Sequence, residues 1–369
     1  MGAGAAEAAA AGAERMSIAV TPEAIRPRPA PAAEWGSTLA SDAWLVSARA
    51  DFWIVAAGGA SLLLVMGLVL LWHGDRELDT ADLLLAELHL GATYDAIVRR
   101  RLWRTMPLEV LLVPLALVAA TYALVLNGWP LLVTTAILYL GAWHRGRQNL
   151  GIARYYQRRV GGPVSPGHRW RLAAAFYLPM LAGVAYYTST AATHEGEDFH
   201  HLTLPAELHW ALGAVAAAGV AAYLVWTRGR VRAMTGPAPT GLDHAPGGVH
   251  PAERWLVLAN AVAFGSAYVV GAWAASFVLV LAVHHEVQYL YFTYAVARRA
   301  DAGRGRGLAD ELHRLGRFAV WPAIGLASWA ACTLSGSESL LPFLTAGLLS
   351  HYWLDGRIWT ARARRLAAA

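Results

Sequence analysis

The chain of 369 residues is 57% hydrophobic and only 15% charged. Soluble domains carry about 25% charged residues, so this composition argues against a soluble globular protein and indicates a membrane protein. The formal net charge is +5, but the basic residues cluster between apolar runs. Nucleic-acid binding needs a contiguous basic face, so we expect no nucleic-acid partner. The single cysteine, Cys332, excludes an intramolecular disulfide and a multi-cysteine metal site.

The first 44 residues differ in character from the rest of the chain. They are rich in Ala, Pro and Glu and show no sustained hydrophobic periodicity, which predicts a disordered cytoplasmic tail. The beginning of this segment also lacks the basic region and compact apolar core of a signal peptide. We therefore expect residues 45–369 to form the folded part, as a single transmembrane helical domain.

Ten apolar runs in this part are long enough to cross the membrane, which takes about 20 helical residues for a hydrocarbon layer of about 30 Å. The tract 255–299 is too long for one crossing, and we divide it into two helices near Gly271. The other runs lie at about 52–72, 81–98, 107–126, 129–156, 170–188, 205–226, 317–334 and 340–360. The predicted fold class is an all-α polytopic transmembrane bundle of about ten spans, with a cytoplasmic loop at about 227–254.

The distribution of charge predicts the orientation of the bundle. Basic clusters follow the second, fourth, sixth, eighth and tenth runs, and the intervening loops are short, neutral or acidic. Loops on the cytoplasmic side carry an excess of Lys and Arg, so both termini are predicted to be cytoplasmic. The pattern is typical of an integral protein of the bacterial inner membrane.

Polar motifs recur within four of these apolar runs. Each motif places a histidine four residues before a second polar side chain, so that both lie on one face of a helix. The four motifs are His89-x-x-x-Thr93, His144-x-x-x-Gln148, His284-x-x-x-Gln288 and His351-x-x-x-Asp355. All four occur on even-numbered runs, which share one direction across the membrane. We therefore expect their imidazoles to lie at similar depth, between mid-membrane and the cytoplasmic side, and to converge on one site.

Histidine is the commonest metal ligand, and neutral imidazole suits iron, copper, zinc and nickel. We predict that His89, His144, His284 and His351 bind iron, as a non-haem site with one or two ions, with haem b, copper or zinc as alternatives. His285 points about 100° away from His284 on a helix, so it would serve a second ion or a different partner.

Other polar residues of these runs are candidates for supporting roles. Asp355 is the best carboxylate ligand and a candidate catalytic residue. Gln148, Gln288 and Tyr94 fit the task of fixing the tautomer and angle of a ligating imidazole. Arg147 and Arg154 would balance carboxylates or hold an anionic head group of a cofactor or lipid.

Several histidines near the cytoplasmic face of a membrane bundle resemble the pattern of the membrane-bound non-haem di-iron desaturases and hydroxylases. That family carries His-x-x-x-His and His-x-x-His-His boxes. This sequence has His284-His285 and the His-x-x-x-Gln motifs in their place, so no residue role is transferred from the family.

Three functions fit these observations. The leading hypothesis is a metal-dependent membrane oxidoreductase that acts on a hydrophobic or lipid substrate and takes electrons from a donor. The second is a proton-coupled or small-molecule transporter that uses the same histidines and Asp355. The third is a bis-histidine haem protein that transfers electrons. A single histidine in a membrane helix is more often a satisfied interhelical hydrogen bond, but the repeated spacing favours a functional site.

Overall fold

A computed structural model describes most of the predicted bundle. It describes residues 44–56, 64, 66–68, 85–86, 88–95, 97–98, 101–159, 165–190, 199–202, 204–235, 249–273, 277–300, 316, 319, 323, 326–327, 330 and 345–356. Every regular element within these residues is helical. The predicted tail lies outside the described residues except for Trp44, and so does most of the ninth run.

Six long helices form the framework of the part of the chain that the structure describes. They are α1 Val113–Leu126, α2 Pro130–Arg159, α3 Pro166–Thr190, α4 Ala206–Thr235, α5 Pro251–Gly271 and α6 Phe277–Ala300. Shorter elements are Ala48–Asp51, Leu102–Thr105 and two π-helical turns, Phe52–Ala56 and Leu108–Leu112. Residues 88–95 and 345–356 are also helical and carry two of the predicted histidines.

Among the residues that the structure describes, four helices are long and apolar enough to cross a membrane, which indicates a membrane protein. These segments are Leu108–Leu126, Pro166–Thr190, Ala206–Arg228 and Pro251–Gly271. They correspond to the third, fifth, sixth and seventh predicted runs. None of the four carries one of the predicted histidine motifs, so the most lipid-compatible helices of the described structure are separate from the polar ones.

The helix boundaries agree with the sequence at two turns. The tract 255–299 breaks where predicted, because α5 ends at Gly271 and α6 begins at Phe277. Asn127 and Gly128 join α1 to α2, with Gly128 at φ 79°, a conformation that glycine adopts without steric cost. The Asn127 side chain donates to the carbonyl of Ala123 at 2.7 Å, which satisfies one of the last carbonyls of α1.

The predicted loop at 227–254 begins later than expected. Helix α4 continues to Thr235, and α5 already begins at Pro251. Arginine has a high helix propensity, so the basic stretch after Trp226 extends the helix by about two turns instead of ending it. His250 caps α5 by accepting from the backbone N–H of Ala252 at 3.1 Å.

Close packing of α3 against α5 holds the centre of the bundle together. Phe176 of α3 and Leu256 of α5 are fully buried in the same apolar cluster. Two turns further along, a Cβ built on Gly183 would lie 2.9 Å from the backbone oxygen of Phe264. Only a glycine allows the two helices this separation, in the way that small residues mediate contacts between membrane helices.

Buried polar side chains connect the same helices. Asn149 of α2 donates to the Asn260 side chain of α5 at 3.0 Å, and Asn260 donates to the carbonyl of Phe176 at 3.1 Å. Near the other end of α3 and α5, His168 contacts Glu253 at 2.6 Å, and Tyr223 of α4 donates to the same carboxylate. Such bonds fix the relative position of membrane helices, which have no hydrophobic force between them in lipid.

We predict that Gly183→Ala destabilises the protein, since the added methyl group forces α3 and α5 apart; overpacking of this kind costs about 1–3 kcal/mol. Gly213→Ala in α4 is the matched control, because a Cβ there meets nothing within 4 Å. We expect it to be neutral or to stabilise by up to about 1 kcal/mol. Unfolding in mild detergent, followed by circular dichroism, measures both. Equal stability of the two variants would contradict the close approach.

Candidate metal centre

Four buried imidazoles meet inside the bundle and form what we call the histidine layer: His89, His144, His285 and His351. The ring centres of His89 and His351 lie 4.5 Å apart, and those of His144 and His351 lie 4.9 Å apart. His285 lies 4.9 Å from His89 and 5.1 Å from His144. One ligand atom from each of His89, His144 and His351 lies within 4.8 Å of the other two. These three can therefore hold a metal ion.

Six of the eight ring nitrogens in this layer have no hydrogen-bond partner among the described residues. Both ring nitrogens of His89 and of His351, Nε2 of His144 and Nδ1 of His285 are buried without a hydrogen bond to any described group. Leaving a buried polar atom unsatisfied costs about 1–3 kcal/mol. Several such atoms on neighbouring rings are explained if the imidazoles bind a common ligand.

The structure differs from the sequence prediction in α6, where His285 rather than His284 joins the layer. His284 is buried but makes no ring contact with the other histidines in the described part of the chain. The sequence pattern could not show which of the two histidines faces the site. Every residue from Val280 to Glu286 is buried, so this part of α6 has no exposed side that would single out the opposite one. Adjacent residues on a helix point about 100° apart, so only one of the two can face the site.

A second polar layer lies one helical turn further along the same helices. We call it the hydrogen-bonded layer: Thr93, Tyr289 and Asp355. The Tyr289 hydroxyl donates to Oδ1 of Asp355 at 2.5 Å and lies 3.2 Å from the hydroxyl of Thr93. The Tyr289 ring also stacks on His89, with centres 4.0 Å apart and planes 12° apart. Asp355 was predicted as a metal ligand, whereas the structure joins it to the histidine layer through Tyr289.

The two layers show that three helical segments run in the same direction. Each member of the hydrogen-bonded layer follows a member of the histidine layer by four residues, in 88–95, in α6 and in 345–356. The histidines contact one another, and so do the residues four positions later. Antiparallel segments would not bring both sets together. The direction shared by the motif-bearing runs in the sequence prediction is consistent with this arrangement.

The two predicted glutamines bind backbone oxygens. Gln148 donates to the carbonyl of His285 at 3.4 Å, so it connects α2 to α6 directly beside the histidine layer. Gln288 donates to the carbonyl of Val55 at 2.6 Å, which attaches the N-terminal π-helical turn to α6. Gln288 was predicted to orient an imidazole. In the structure, its side chain instead binds a backbone carbonyl outside the histidine layer.

The remaining predicted residues lie around the site in different ways. The Arg147 guanidinium lies 4.8 Å from the centre of the Trp143 ring, and its Nη2 donates to the carbonyl of Gly356 at 3.5 Å. Arg154 is exposed on α2. Tyr94 packs against an apolar cluster that includes Leu354. Both Arg147 and Tyr94 therefore contact the site-bearing segment 345–356.

Two tyrosines at the site were not among the predicted site residues. Tyr289 stacks on His89, and Tyr352 stacks on His144 with ring centres 4.6 Å apart. The absence of a side chain on Gly141 permits the approach of Tyr352, since a Cβ there would lie 3.0 Å from its hydroxyl. The spacing His285-x-x-x-Tyr289 repeats the period of the other motifs, and it is the signal that would have identified Tyr289 and the correct histidine together.

No protein family, curated protein or solved structure matches this chain.

We predict that His285→Ala weakens metal binding and that His284→Ala does not, because only His285 contacts the other imidazoles. Loss of a group that ligates or orients a ligand costs about 10–100-fold in affinity. Competition with a chromophoric chelator, using Zn²⁺ as the probe, measures the affinity of each purified variant. Equal affinities for the two variants would place His285 outside the metal site.

Proposed function

We propose that this chain is a membrane-embedded metalloprotein in which His89, His144 and His351 bind one metal ion, with His285 as a fourth ligand. The observation that carries this proposal is a set of buried ring nitrogens without a hydrogen-bond partner among the described residues, on three histidines that each offer a ligand atom within 4.8 Å of the other two. Metal ligation satisfies such nitrogens, and it accounts for the presence of four imidazoles inside an apolar bundle.

The donor set limits the choice of metal. Neutral imidazoles suit iron, copper, zinc and nickel, whereas hard cations such as Mg²⁺ and Ca²⁺ prefer oxygen. The ligand group found among the described residues consists of histidines alone, which favours one ion over a carboxylate-bridged pair. Iron is the metal that we propose, because it combines this ligand preference with redox activity and open coordination positions.

The proposed activity is the oxidation of a hydrophobic substrate by a metal-dependent oxidoreductase. Helices α2 and α6 carry two of the four imidazoles and pack against the apolar helix α5, so an acyl chain, isoprenoid or quinone could reach the layer from the bilayer. Activation of molecular oxygen at such a centre requires electrons from a separate donor. Tyr289 would hold the ring of His89 in place by stacking, while Asp355 fixes Tyr289 through its hydroxyl.

The proposed topology has ten spans, with both termini on the cytoplasmic side of a bacterial inner membrane. Two observations support it. Basic clusters follow every second apolar run in the sequence. Three of the four site-bearing segments, namely 88–95, α6 and 345–356, also share one direction, as expected if they are even-numbered spans.

Metal analysis of protein purified in mild detergent tests the proposal. We expect about one iron ion per chain, and loss of metal in His89→Ala, His144→Ala and His351→Ala, because each removes one of the three closest ligands. His284→Ala is the matched control and should retain the metal. Oxygen uptake with added lipid or quinol substrates should follow the metal content. Folded protein that remains without metal after iron, copper and zinc are supplied would overturn the proposal.

A proton-coupled carrier is the second candidate, and the hydrogen-bonded layer is the observation that favours it. Tyr289 and Asp355 would pass protons to or from the adjacent imidazoles, as buried carboxylates and histidines do in carriers. Proton flux in proteoliposomes that is lost in Asp355→Asn, together with unchanged metal content, would favour the carrier over the oxidoreductase.

The spacing of the rings does not favour a bis-histidine haem. A flat macrocycle placed between two of the four imidazoles would have to displace the other two, since neighbouring ring centres lie only 4.5–6.1 Å apart. We therefore expect purified protein to lack the visible absorption bands of haem.

A further inference from the structure

Two arginines from different helices meet over one tryptophan at the border of the apolar helices. The guanidinium carbon of Arg230 lies 4.0 Å from the centre of the Trp226 ring, and that of Arg171 lies 4.9 Å from it. Arg230 and Trp226 belong to α4, whereas Arg171 belongs to the second turn of α3. Because both distances are measured to the same ring centre, the two positive groups lie within about 9 Å of each other.

The buried polar cluster of α3, α4 and α5 holds the tryptophan in place. The ring of His168 packs edge-on against Trp226, with centres 5.0 Å apart. His168 in turn contacts the buried carboxylate of Glu253 at 2.6 Å. The Trp226 ring is therefore fixed by contacts that involve three helices. A fixed ring preorganises the positions of the two arginines that stack on it.

The position along the helices is that of a membrane interface. The apolar span of α4 ends at Arg228, and that of α3 begins at Pro166. Trp226 and Arg171 lie within two turns of these limits, at the level where tryptophan and arginine meet lipid head groups. The same region carries the basic cluster that follows the sixth apolar run.

Neither arginine forms an ion pair with a carboxylate of the described residues. The nearby acid, Glu253, is fully buried and is contacted by His168 and Tyr223. Stacking on a ring occupies the flat face of a guanidinium and leaves its N–H edge available to an anion, and guanidinium groups bind phosphate oxygens through parallel hydrogen bonds. Two positive groups within about 9 Å of each other both attract an anionic head group that lies beside the ring.

We propose that Arg171 and Arg230, stacked on Trp226, form a binding site for the phosphate of an anionic phospholipid. The bilayer supplies this ligand at the depth where the arginines lie, with its acyl chains along the apolar surface of α3 and α4. The proposal is independent of the metal centre, because neither arginine contacts the histidine layer.

Native mass spectrometry of the full-length protein, supplied with equal amounts of phosphatidylglycerol and phosphatidylcholine, tests this site. We expect the wild type to retain phosphatidylglycerol preferentially. Arg171→Gln and Arg230→Gln should each lower that preference about fivefold, and the double variant should lower it further. Arg228→Gln is the matched control, because this exposed arginine of α4 makes no ring contact with Trp226 in the described structure. It should leave the preference within about twofold of the wild type.

Three outcomes would overturn the site. The double variant could keep the wild-type preference, or Arg228→Gln could lower it as much as the other substitutions do. Soluble glycerol phosphate could also compete with the lipid at equal concentration, which would assign the arginines to a free phosphate compound. Circular dichroism of each variant shows whether it is folded. If a glutamine variant unfolds, Arg171→Lys and Arg230→Lys replace it, and loss of the stacked guanidinium should still weaken lipid retention.

Discussion

Burying an imidazole among apolar helices is unfavourable unless its nitrogens find partners, and this constraint organises the centre of the bundle. His89 and His351 are almost fully buried, yet neither ring bonds to a protein group among the described residues. The surrounding helices bring four such rings together instead of giving each its own acceptor. A ligand shared by the rings would relieve the cost for all of them at once, which is why we propose a metal ion here rather than four separate structural contacts.

Asp355 acts on the imidazoles indirectly, through Tyr289. Tyr289 of α6 contacts two other segments: its ring lies on His89 and its hydroxyl contacts Thr93, both in 88–95, and its hydroxyl also contacts Asp355 in 345–356. The orientation of the His89 ring thereby depends on a buried carboxylate that belongs to another helix. A second set of polar groups, which includes His168 and Glu253, lies near the N-terminal ends of α3 and α5. These groups position the apolar helices and make no described contact with the histidine layer. One polar cluster therefore forms the candidate site, and a different one holds the apolar helices in position.

Much of this arrangement could be predicted from local sequence. Apolar runs and turn residues gave the helical class and the break at Gly271, because length and hydropathy determine both. The recurrence of a histidine four residues before a polar side chain identified the segments that carry the site. The choice between His284 and His285 could not be made in the same way, since both faces of that part of α6 are buried. The extension of α4 to Thr235 was missed because apolar character, not helix propensity, was used to place its end. Contacts between distant segments, such as Tyr289 with Asp355, depend on tertiary packing that no local pattern contains.

The shared direction of the site-bearing segments has a consequence for biosynthesis. Segments that point the same way in a bundle must be separated by others that return across it, so His89 and His351 are far apart in the chain although their rings touch. During translation, the histidine layer cannot be complete until the segment around His351 has emerged from the ribosome and entered the bilayer. Before that point, His89 and His144 lack one of their ring neighbours in the bundle. Completion of the layer is therefore a late step in the assembly of the chain.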